Sequence, residues 1–404
     1  MIPYLSAADV FALLSPGEAV SAVLAALRDG LDPAAGFPRA NVPLTHGNLL
    51  LMPAESATHA GVKLATVAPD NPSRGLPRIA ALYVIFDAET LHPKALIDGT
   101  ALTTLRTPAV SVAAVSALLP AAPHVVVFGA GPQAVGHVRT LADVTALASV
   151  TVVTRTGTLP PVPAWPVPAE SGRAGSGRAG SVPVESGRAE SGRAESVPVE
   201  SGRVESGRVE SGRVGSDRVG SGRAESVRAG SGRVESVGAV PVRETSAGPA
   251  PVGGTPDPAG TAGAFPASVI VHRVGTPEVD AALQVADVVV CATTARTPLF
   301  DSALLRETAI VIAVGSHEPD AREVDTALVA RATVIVEDRA TALRECGDII
   351  MALADGAPGR LLPMSDVIRG VVPVSGGRPV LFKGSGMAWQ DLVVAEALLA
   401  RAPT

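Results

Sequence analysis

The sequence predicts an α/β fold, preceded by an α+β region at the start of the chain. One observation is a glycine turn near residue 130 that joins an apolar run to a helical pattern. A second is the series of short apolar runs after it, which are typical of strands buried on both faces of a parallel sheet. A third is that turn residues separate the apolar runs before residue 100, which favours an antiparallel sheet with flanking helices.

The glycine turn lies in residues 124–141, HVVVFGAGPQAVGHVRTL. Its first apolar residues are typical of a buried strand, and a helix can begin at about Gln133. Gly129 allows a tight turn, Gly131 lets a pyrophosphate approach the backbone, and Ala134 lets the helix pack closely. The helix N-terminus adds free N–H groups and a positive dipole end. This pattern predicts dinucleotide binding; a glycine turn in another kind of α/β protein is the alternative.

Length and composition fit a protein of two domains. The chain has 404 residues, of which 47% are hydrophobic, so it can build a sizeable core. Its formal net charge of −6 argues against a nucleic-acid partner, which would favour a basic face. Cys291 and Cys346 are too few for a disulfide framework. Because we find no signal-peptide pattern and no membrane span, we expect a cytoplasmic protein.

The N-terminal region is expected to contain helices around an antiparallel sheet. Ser15 and Glu18 form a capping box at the start of the second helix. The predicted segments are helices within 7–29 and over 102–119, a hairpin over 38–54 that turns near His46, and strands over 61–67, 79–87 and 94–97.

Two cations of this region have positions that suit chemistry. Lys63 lies in a largely apolar strand, where desolvation lowers the pKa of a lysine and suits it to acid–base work. A lysine on a solvated strand face is the alternative. Arg106 and Thr107 are expected near the start of the 102–119 helix, where a cation is electrostatically disfavoured. We therefore interpret Arg106 as placed for an anion, with an ordinary surface arginine as the alternative.

The end of the strand predicted at 150–156 indicates the cofactor. Thr154, Arg155 and Thr156 stand where an acidic residue would bind the ribose 2′-hydroxyl of NAD. A guanidinium and two hydroxyls suit a 2′-phosphate instead. The sequence therefore favours NADP(H), with NAD(H) as the alternative.

A low-complexity segment, 157–263, interrupts the nucleotide-binding region. Much of it repeats five-residue units such as ESGRA and ESGRV. This period gives no steady apolar face on a helix or a strand, and the glycine of each unit opposes a helix. We predict a long disordered surface insertion where the second βα unit would have its helix, and no residue pattern indicates a partner for it.

The sheet is expected to continue after the insertion, with strands at 267–274, 287–294, 309–314 and 332–336. In a doubly wound sheet the ligand crevice lies outside the carboxyl ends of the strands, where Gly129, Thr293 and Gly315 fall. We expect a helix over 341–346, a loop around Gly347, and a tail made of a strand, a glycine loop and a final helix.

Taken together, these segments resemble the ornithine cyclodeaminase/mu-crystallin family. The resemblance covers nearly the whole chain except the insertion, and several separate motifs occur in the same order. The motifs are LLLMPA (49–54), GVK (61–63), the loop 71–77, LTTLRT (102–107), GAGPQA (129–134), ADVVVCATT (286–294), VGSHEPDAREVD (314–325) and KGSGMAWQD (383–391).

The resemblance implies a homodimer whose chains each have two domains. Residues 1–118, completed by 377–404, would form an α+β substrate-binding and dimerisation domain. Residues 119–376 would form a Rossmann NAD(P)-binding domain that contains the insertion. The implied substrate is a small α-amino or α-imino acid facing the nicotinamide, and no metal site is expected.

The family's motifs also imply roles for individual residues. Arg39 and Arg106 match the arginines that hold the substrate carboxylate, for which guanidinium pairing is well suited. Lys63 matches the active-site lysine, which passes a proton to or from the reacting nitrogen or carbonyl. His317 is expected near the nicotinamide, either orienting substrate or serving as a hydrogen-bonded loop histidine. The predicted cofactor residues are Thr107, Gly129, Ala130, Gly131, Pro132, Gln133, Ala134, Thr154, Arg155, Thr156, Thr293, Thr294, Gly315 and Ser385.

One departure from the family's pattern bears on the reaction. The resemblance implies an aspartate in a Gly-Gly-Asp segment of true ornithine cyclodeaminases, whereas this chain has Gly315-Ser316-His317. Together with Arg155, this favours the family's reductases: ketimine or Δ1-pyrroline-2-carboxylate reductase, or alanine dehydrogenase. An ornithine cyclodeaminase with bound NAD is the first alternative. A non-catalytic, nucleotide-dependent binding protein is the second, and Arg39, Lys63 and Arg106 argue against it.

Overall fold

The structure, a computed structural model, describes residues 2–159, 269–374 and 376–402. These residues form two sheets with helices packed on them. From residue 160 onward the predicted insertion lies outside the described residues, so its predicted disorder is not tested.

The first sheet is formed by the N-terminal region. Its strands are β1 (Tyr4–Leu5), β2 (Ala40–Leu44), β3 (Gly47–Glu55), β4 (His59–Val67), β5 (Ile79–Asp87) and β6 (Pro93–Asp98). They follow the order β1-β6-β5-β4-β3-β2, antiparallel except that β1 runs parallel to β6. Two helices, α1 (Ala7–Leu13) and α2 (Pro16–Arg28), begin at capping boxes, as predicted for Ser15. In β4, the alternation of side chains puts Lys63 on the buried face.

The third helix, α3 (Gly99–Val115), begins earlier than the expected residue 102. Asp98 caps it, because its Oδ1 accepts hydrogen bonds from the N–H groups of Thr100 (2.9 Å) and Ala101 (2.8 Å). Arg106 therefore lies about two turns inside the helix, and its interpretation as a cation at a helix start is wrong. The helical segment Gly99–Leu118 is long and apolar enough to cross a membrane, but 67% of its most apolar stretch is buried inside the protein.

The second sheet is parallel throughout. Its strands are β7 (His124–Phe128), β8 (Ser149–Thr154), β9 (Val269–Arg273), β10 (Val288–Cys291), β11 (Ile310–Ala313), β12 (Thr333–Val336), β13 (Leu361–Pro363) and β14 (Val380–Lys383). Their order is β13-β12-β14-β11-β10-β7-β8-β9. The connections change direction between β7 and β10, which is the switch point of a doubly wound sheet. The predicted Rossmann arrangement is confirmed.

Short helices connect these strands. They are α4 (Pro132–Val144), α5 (Pro277–Val285), α6 (Thr326–Arg331), α7 (Arg339–Glu345), α8 (Gly347–Ala354), α9 (Met364–Ile368) and α10 (Ala388–Leu399). The prediction of a loop around Gly347 is wrong, because α8 begins at this residue. Gly347 lies close to the loop after β11, so that a Cβ atom at Gly347 would be 2.1 Å from the carbonyl oxygen of Ala321.

The end of the chain contributes to both sheets. Strand β14 lies between β11 and β12, whereas α10 packs on β3 and β4. The resemblance implied that 377–404 complete the first domain; within this segment α10 packs on the antiparallel sheet and β14 belongs to the parallel sheet. The glycine loop 384–386 carries the chain from one sheet to the other. It thereby brings the start of α10 over Lys63.

Candidate active site

The centre of the site is a buried carboxylate that holds two cations. Asp391, on α10, accepts a hydrogen bond from Nζ of Lys63 at 2.8 Å and one from Nε of Arg106 at 3.3 Å. Asp391 is 0% exposed, and Lys63 and Arg106 are 4% and 5% exposed. Such a cluster is stable only if the charges compensate one another. The structure thus brings Lys63 and Arg106 together through a residue that the sequence analysis did not single out.

The surroundings of Lys63 shift its proton affinity. Burial is the largest cause that lowers the pKa of Lys63, the charges of Arg106 and Arg39 act in the same direction, and Asp391 opposes them, so that the resulting pKa is about 8. This ammonium gives up its proton more readily than a lysine in water. The expectation of a desolvated lysine is therefore correct, and the alternative of a solvated strand face is wrong.

Arg106 fits against a glycine of the loop before α10. Its Nη1 donates a hydrogen bond to Oε1 of Gln390 at 2.5 Å. Gly386 has a φ of +78°, and a Cβ atom there would be 3.1 Å from that Nη1. Among residues 2–159, 269–374 and 376–402, Nη2 of Arg106 donates no hydrogen bond, so this nitrogen keeps its capacity to donate to a further acceptor.

Arg39 reaches the same glycine from the other side. It immediately precedes β2, and its Nη2 donates to the carbonyl oxygen of Gly386 at 3.0 Å. The same Nη2 lies 3.0 Å from Oε2 of Glu345. The two arginines that the resemblance assigned to the substrate carboxylate therefore both lie near Gly386.

Tyr83 is an unpaired polar group next to Lys63. The two residues are opposite each other in β5 and β4. The phenol oxygen is buried and has no hydrogen-bond partner among the described residues. It lies over Gly61, where a Cβ atom would be 2.0 Å from it. Burial raises the pKa of Tyr83, and the nearby charges of Asp391 and Glu396 add to this, so the phenol stays neutral.

The glycine turn at the switch point has the backbone that a dinucleotide site needs. Gly129 has a φ of +111°, and a Cβ atom there would lie 2.5 Å from the carbonyl oxygen of Ala292. Gly131 has nothing within 4 Å of such an atom, which leaves space for a phosphate before the N-terminus of α4. The side-chain amide of Gln133, which was predicted to bind the cofactor, instead donates from Nε2 to the carbonyl oxygen of Thr103 at 3.3 Å. Ala130, Pro132 and the buried Ala134 complete the turn and the start of α4.

The residues at the end of β8 form a short organised loop. The hydroxyl of Thr154 accepts from the N–H of Gly157 at 2.9 Å, and those of Thr156 and Thr158 lie 2.9 Å apart. Arg155 is exposed. A guanidinium at this position can meet a phosphate on the ribose without first leaving a buried environment.

Two predicted cofactor residues bind a buried glutamate. Glu323 accepts from the N–H and the hydroxyl of Thr293 at 2.8 and 2.7 Å, and from the N–H of Gly315 at 2.7 Å. Burial raises the pKa of Glu323, while the charge of Lys383 and the bonds from Thr293 oppose the shift. The loops after β10 and β11 are thus fixed to each other. Thr294, next in the chain, is exposed.

Glu337 fixes the glycine loop 384–386 in place by hydrogen bonds, as Glu323 does for the loops after β10 and β11. Its Oε2 accepts from the hydroxyl of Ser385 at 2.8 Å and from the N–H groups of Ser385 and Gly386 at 3.1 and 2.9 Å. The hydroxyl of Ser385, predicted to bind the cofactor, is therefore engaged within the protein. Thr107 is half-buried on α3.

His317 is exposed in the loop after β11. Partial desolvation by the surrounding protein lowers its pKa, as do the charges of Arg39 and Lys383, whereas Glu318 opposes the shift. The lowered pKa favours the neutral form of this imidazole.

Several residues of the site were missed by the sequence analysis. They are Tyr83, Glu323, Glu337, Lys383, Gln390 and Asp391. One signal was available: Asp391 interrupts the apolar sequence of α10, and an acid at a core position requires a buried cation as partner. Lys383 likewise ends an apolar strand, which indicates a buried cation that needs an acidic partner. In the structure it pairs with Asp348 at 3.0 Å, and both side chains are buried.

Comparison with known proteins identifies the family. The model of the ornithine cyclodeaminase/mu-crystallin family matches residues 4–158 and 270–403. The chain belongs to this family. It is 28% identical over 358 residues to Delta(1)-pyrroline-2-carboxylate reductase 2 of Burkholderia ambifaria. This match covers 87% of this chain and 80% of the relative. It is 29% identical over 416 residues to the Delta(1)-pyrroline-2-carboxylate/Delta(1)-piperideine-2-carboxylate reductase of Azospirillum brasilense, which covers 99% and 97%.

A solved structure shares the fold of this family member. The Delta(1)-pyrroline-2-carboxylate reductase of Thermococcus litoralis, solved in complex with NADH and L-proline, has a TM-score of 0.65 and 20% sequence identity. The match covers 99% of this chain and 97% of that chain. This likeness shows that the two chains share a fold.

Proposed function

We propose that the protein reduces the C=N bond of a small cyclic imino acid, such as Δ1-pyrroline-2-carboxylate, with NAD(P)H. The observation that carries this proposal is the buried Lys63, whose pKa is about 8, held between Asp391 and two arginines. The names of the relatives in Burkholderia and Azospirillum point to the same reaction.

The chain's own residues supply binding and a proton. Arg39 and Arg106 hold the substrate carboxylate from two sides, because both guanidinium groups converge on Gly386. The Gly129–Gly131 turn would hold NAD(P)H, which would supply the hydride for the imine carbon. Lys63 donates a proton to the imine nitrogen, so that the C=N bond becomes a CH–NH bond. Asp391 keeps Lys63 oriented and partly compensates its charge.

The cofactor preference in this proposal is for NADP(H). Arg155 supports it, because this exposed guanidinium stands at the end of β8 between two threonines. It would pair with the 2′-phosphate, and Thr154 and Thr156 would border the same group. NAD(H) is the alternative, and the Thermococcus structure was solved with NADH.

The proposed assembly is a homodimer formed through the antiparallel sheet. One face of this sheet lies on α3 and α10, whereas the other carries partly exposed apolar side chains, including Leu64, Leu82 and Phe86. At its edge, Val42 and Leu44 are 40% and 53% exposed. A continuous apolar face of this kind is typical of a surface that binds a second chain.

The experiment that tests the function follows reduced-nicotinamide absorbance with purified protein. The substrates are Δ1-pyrroline-2-carboxylate, its six-membered homologue, and pyruvate with ammonia. Substrate-dependent loss of NADPH or NADH, with matching formation of the amino acid, is the expected result. Formation of proline and ammonia from ornithine and NAD, without net cofactor consumption, would establish a cyclodeaminase instead. Ligand binding without turnover would favour the binding-protein alternative.

A further inference from the structure

Arg39 is already paired with a carboxylate of the protein. Its Nη2 lies 3.0 Å from Oε2 of Glu345, the last residue of α7. Arg39 precedes a strand of the antiparallel sheet, whereas α7 follows a strand of the parallel sheet. The ion pair therefore joins segments next to the two sheets, at the guanidinium that is proposed to bind the substrate carboxylate. The side chains of Arg39 and Glu345 are 23% and 19% exposed, so both keep some contact with solvent.

The position of Glu345 is not favoured by its own helix. An acidic residue at a helix C-terminus meets the negative end of the helix dipole. Oε2 of Glu345 is buried and accepts no hydrogen bond among the described residues, although Arg39 is close to it. Its other oxygen, Oε1, accepts bonds from Nε and Nη2 of Arg344 at 3.1 and 2.7 Å. The contact between Arg39 and Glu345 is thus a charge attraction without a directed hydrogen bond.

We propose that Glu345 competes with the substrate carboxylate for Arg39 and thereby sets the affinity for α-imino and α-amino monocarboxylates. This inference rests on the proposed function. A free carboxylate can accept two parallel bonds from a guanidinium, which is a stronger contact than the undirected one seen here. When the ligand takes Arg39, Glu345 keeps its bonds to Arg344. A ligand without a carboxylate has no means of displacing Glu345.

The alternative is that Glu345 only holds Arg39 in place. The two roles predict opposite effects of removing the charge of Glu345. A competitor weakens ligand binding, so its removal tightens it. A support strengthens ligand binding, so its removal weakens it.

The test measures the binding of L-proline to the NADPH-bound protein by calorimetry. In the variant Glu345→Gln the Kd for L-proline should fall about three- to fivefold, which corresponds to the strength of a partly exposed ion pair. Pyrrolidine, which has the ring without the carboxylate, should show a change of less than about twofold. Glu307→Gln is the matched control, because Glu307 pairs with Arg331 at 3.2 Å through an exposed contact on another part of the surface.

The results separate this inference from the proposed function. An unchanged or higher Kd for L-proline in Glu345→Gln would overturn the competition, and so would equal tightening for pyrrolidine. If the wild type consumes NADPH with Δ1-pyrroline-2-carboxylate while Glu345→Gln binds L-proline no more tightly, only the role of Glu345 fails. If the wild type neither turns over the imino acid nor binds L-proline, both proposals fail.

Discussion

The Nζ atom of Lys63 lies 2.8 Å from Oδ2 of Asp391, and both side chains are buried. The two residues are 328 positions apart in the sequence. One belongs to an antiparallel strand and the other to the final helix, so the contact forms only when the chain returns to the first sheet. Asp391 also holds Arg106, so this carboxylate links the residue proposed to transfer the proton with a residue proposed to bind the substrate.

Asp391→Asn should reduce kcat by about 100-fold, the size of a typical general acid contribution. The amide keeps the shape of the side chain but not the charge that raises the pKa of Lys63, so that pKa should fall below about 8. The high-pH limb of the rate profile should move to lower pH. Asp355→Asn is the control, because Asp355 pairs with Arg322 at 3.0 Å on an exposed site. Unchanged kcat and pH profile would show that Asp391 is only structural.

Turnover should decline as pH rises through about 8, the pKa of Lys63. Above this pKa the amine is neutral and has no proton to donate. The pH dependence of kcat/KM from about pH 6 to about pH 10, which reports the pKa values of the free enzyme, tests this. A rate that stays constant across that range would contradict the assignment of Lys63 as the proton donor.

The same shift predicts a change in stability. The pKa of Lys63 is lowered from its ordinary value of 10.5 to about 8, so between these values the unfolded chain binds more protons than the folded one. Burial of the charged lysine therefore lowers the free energy of unfolding fully below about pH 8, and this loss is relieved as the pH rises toward 10.5. This contribution to the free energy of unfolding should be absent in Lys63→Met.

The glycines of the turn should respond differently to the same substitution. Gly129→Ala should lower the free energy of unfolding by about 1–3 kcal/mol, because the φ of +111° and the carbonyl oxygen of Ala292 both oppose a side chain. Gly131→Ala should leave the melting temperature unchanged, because its surroundings are open. It should weaken NADPH binding, since the methyl group takes space proposed for phosphate. Equal effects of the two substitutions on both measurements would contradict this division of roles.

Arg155→Ala should raise the KM for NADPH and leave the KM for NADH nearly unchanged. The expected loss is about 1.5–3 kcal/mol of cofactor binding, as for a hydrogen bond to a charged group. Arg139→Ala is the control, because Arg139 is an exposed arginine on α4. Equal effects on the two cofactors would place Arg155 outside the 2′-phosphate site.

Local chemistry made much of the fold predictable. The strand, glycine turn and helix at Gly129 are adjacent in sequence, so their pattern states the geometry directly. The start of α3 was misplaced because the cap formed by Asp98 was overlooked, and that error put Arg106 at a helix end instead of in the core. Strand β14 could not be placed, because nothing in residues 380–383 specifies insertion between β11 and β12.

The site was predictable where the resemblance named a residue and not where partners meet through tertiary structure. Lys63 and Arg106 share Asp391, and Arg39 bonds to the nearby Gly386, whereas the roles that the resemblance gave these residues stay predictions. The hydroxyls of Thr293 and Ser385 bond to Glu323 and Glu337, and such pairs cannot be read from spacing because each carboxylate lies on a different segment.

The measurement that tests the account most directly is the turnover of Lys63→Met with NADPH and Δ1-pyrroline-2-carboxylate, alongside its binding of NADPH. Methionine fills the space of the lysine but carries no proton, so kcat should fall by at least about 100-fold while the Kd for NADPH stays near that of the wild type. This result would establish Lys63 as the group on which reduction depends. Turnover like that of the wild type would contradict the mechanism.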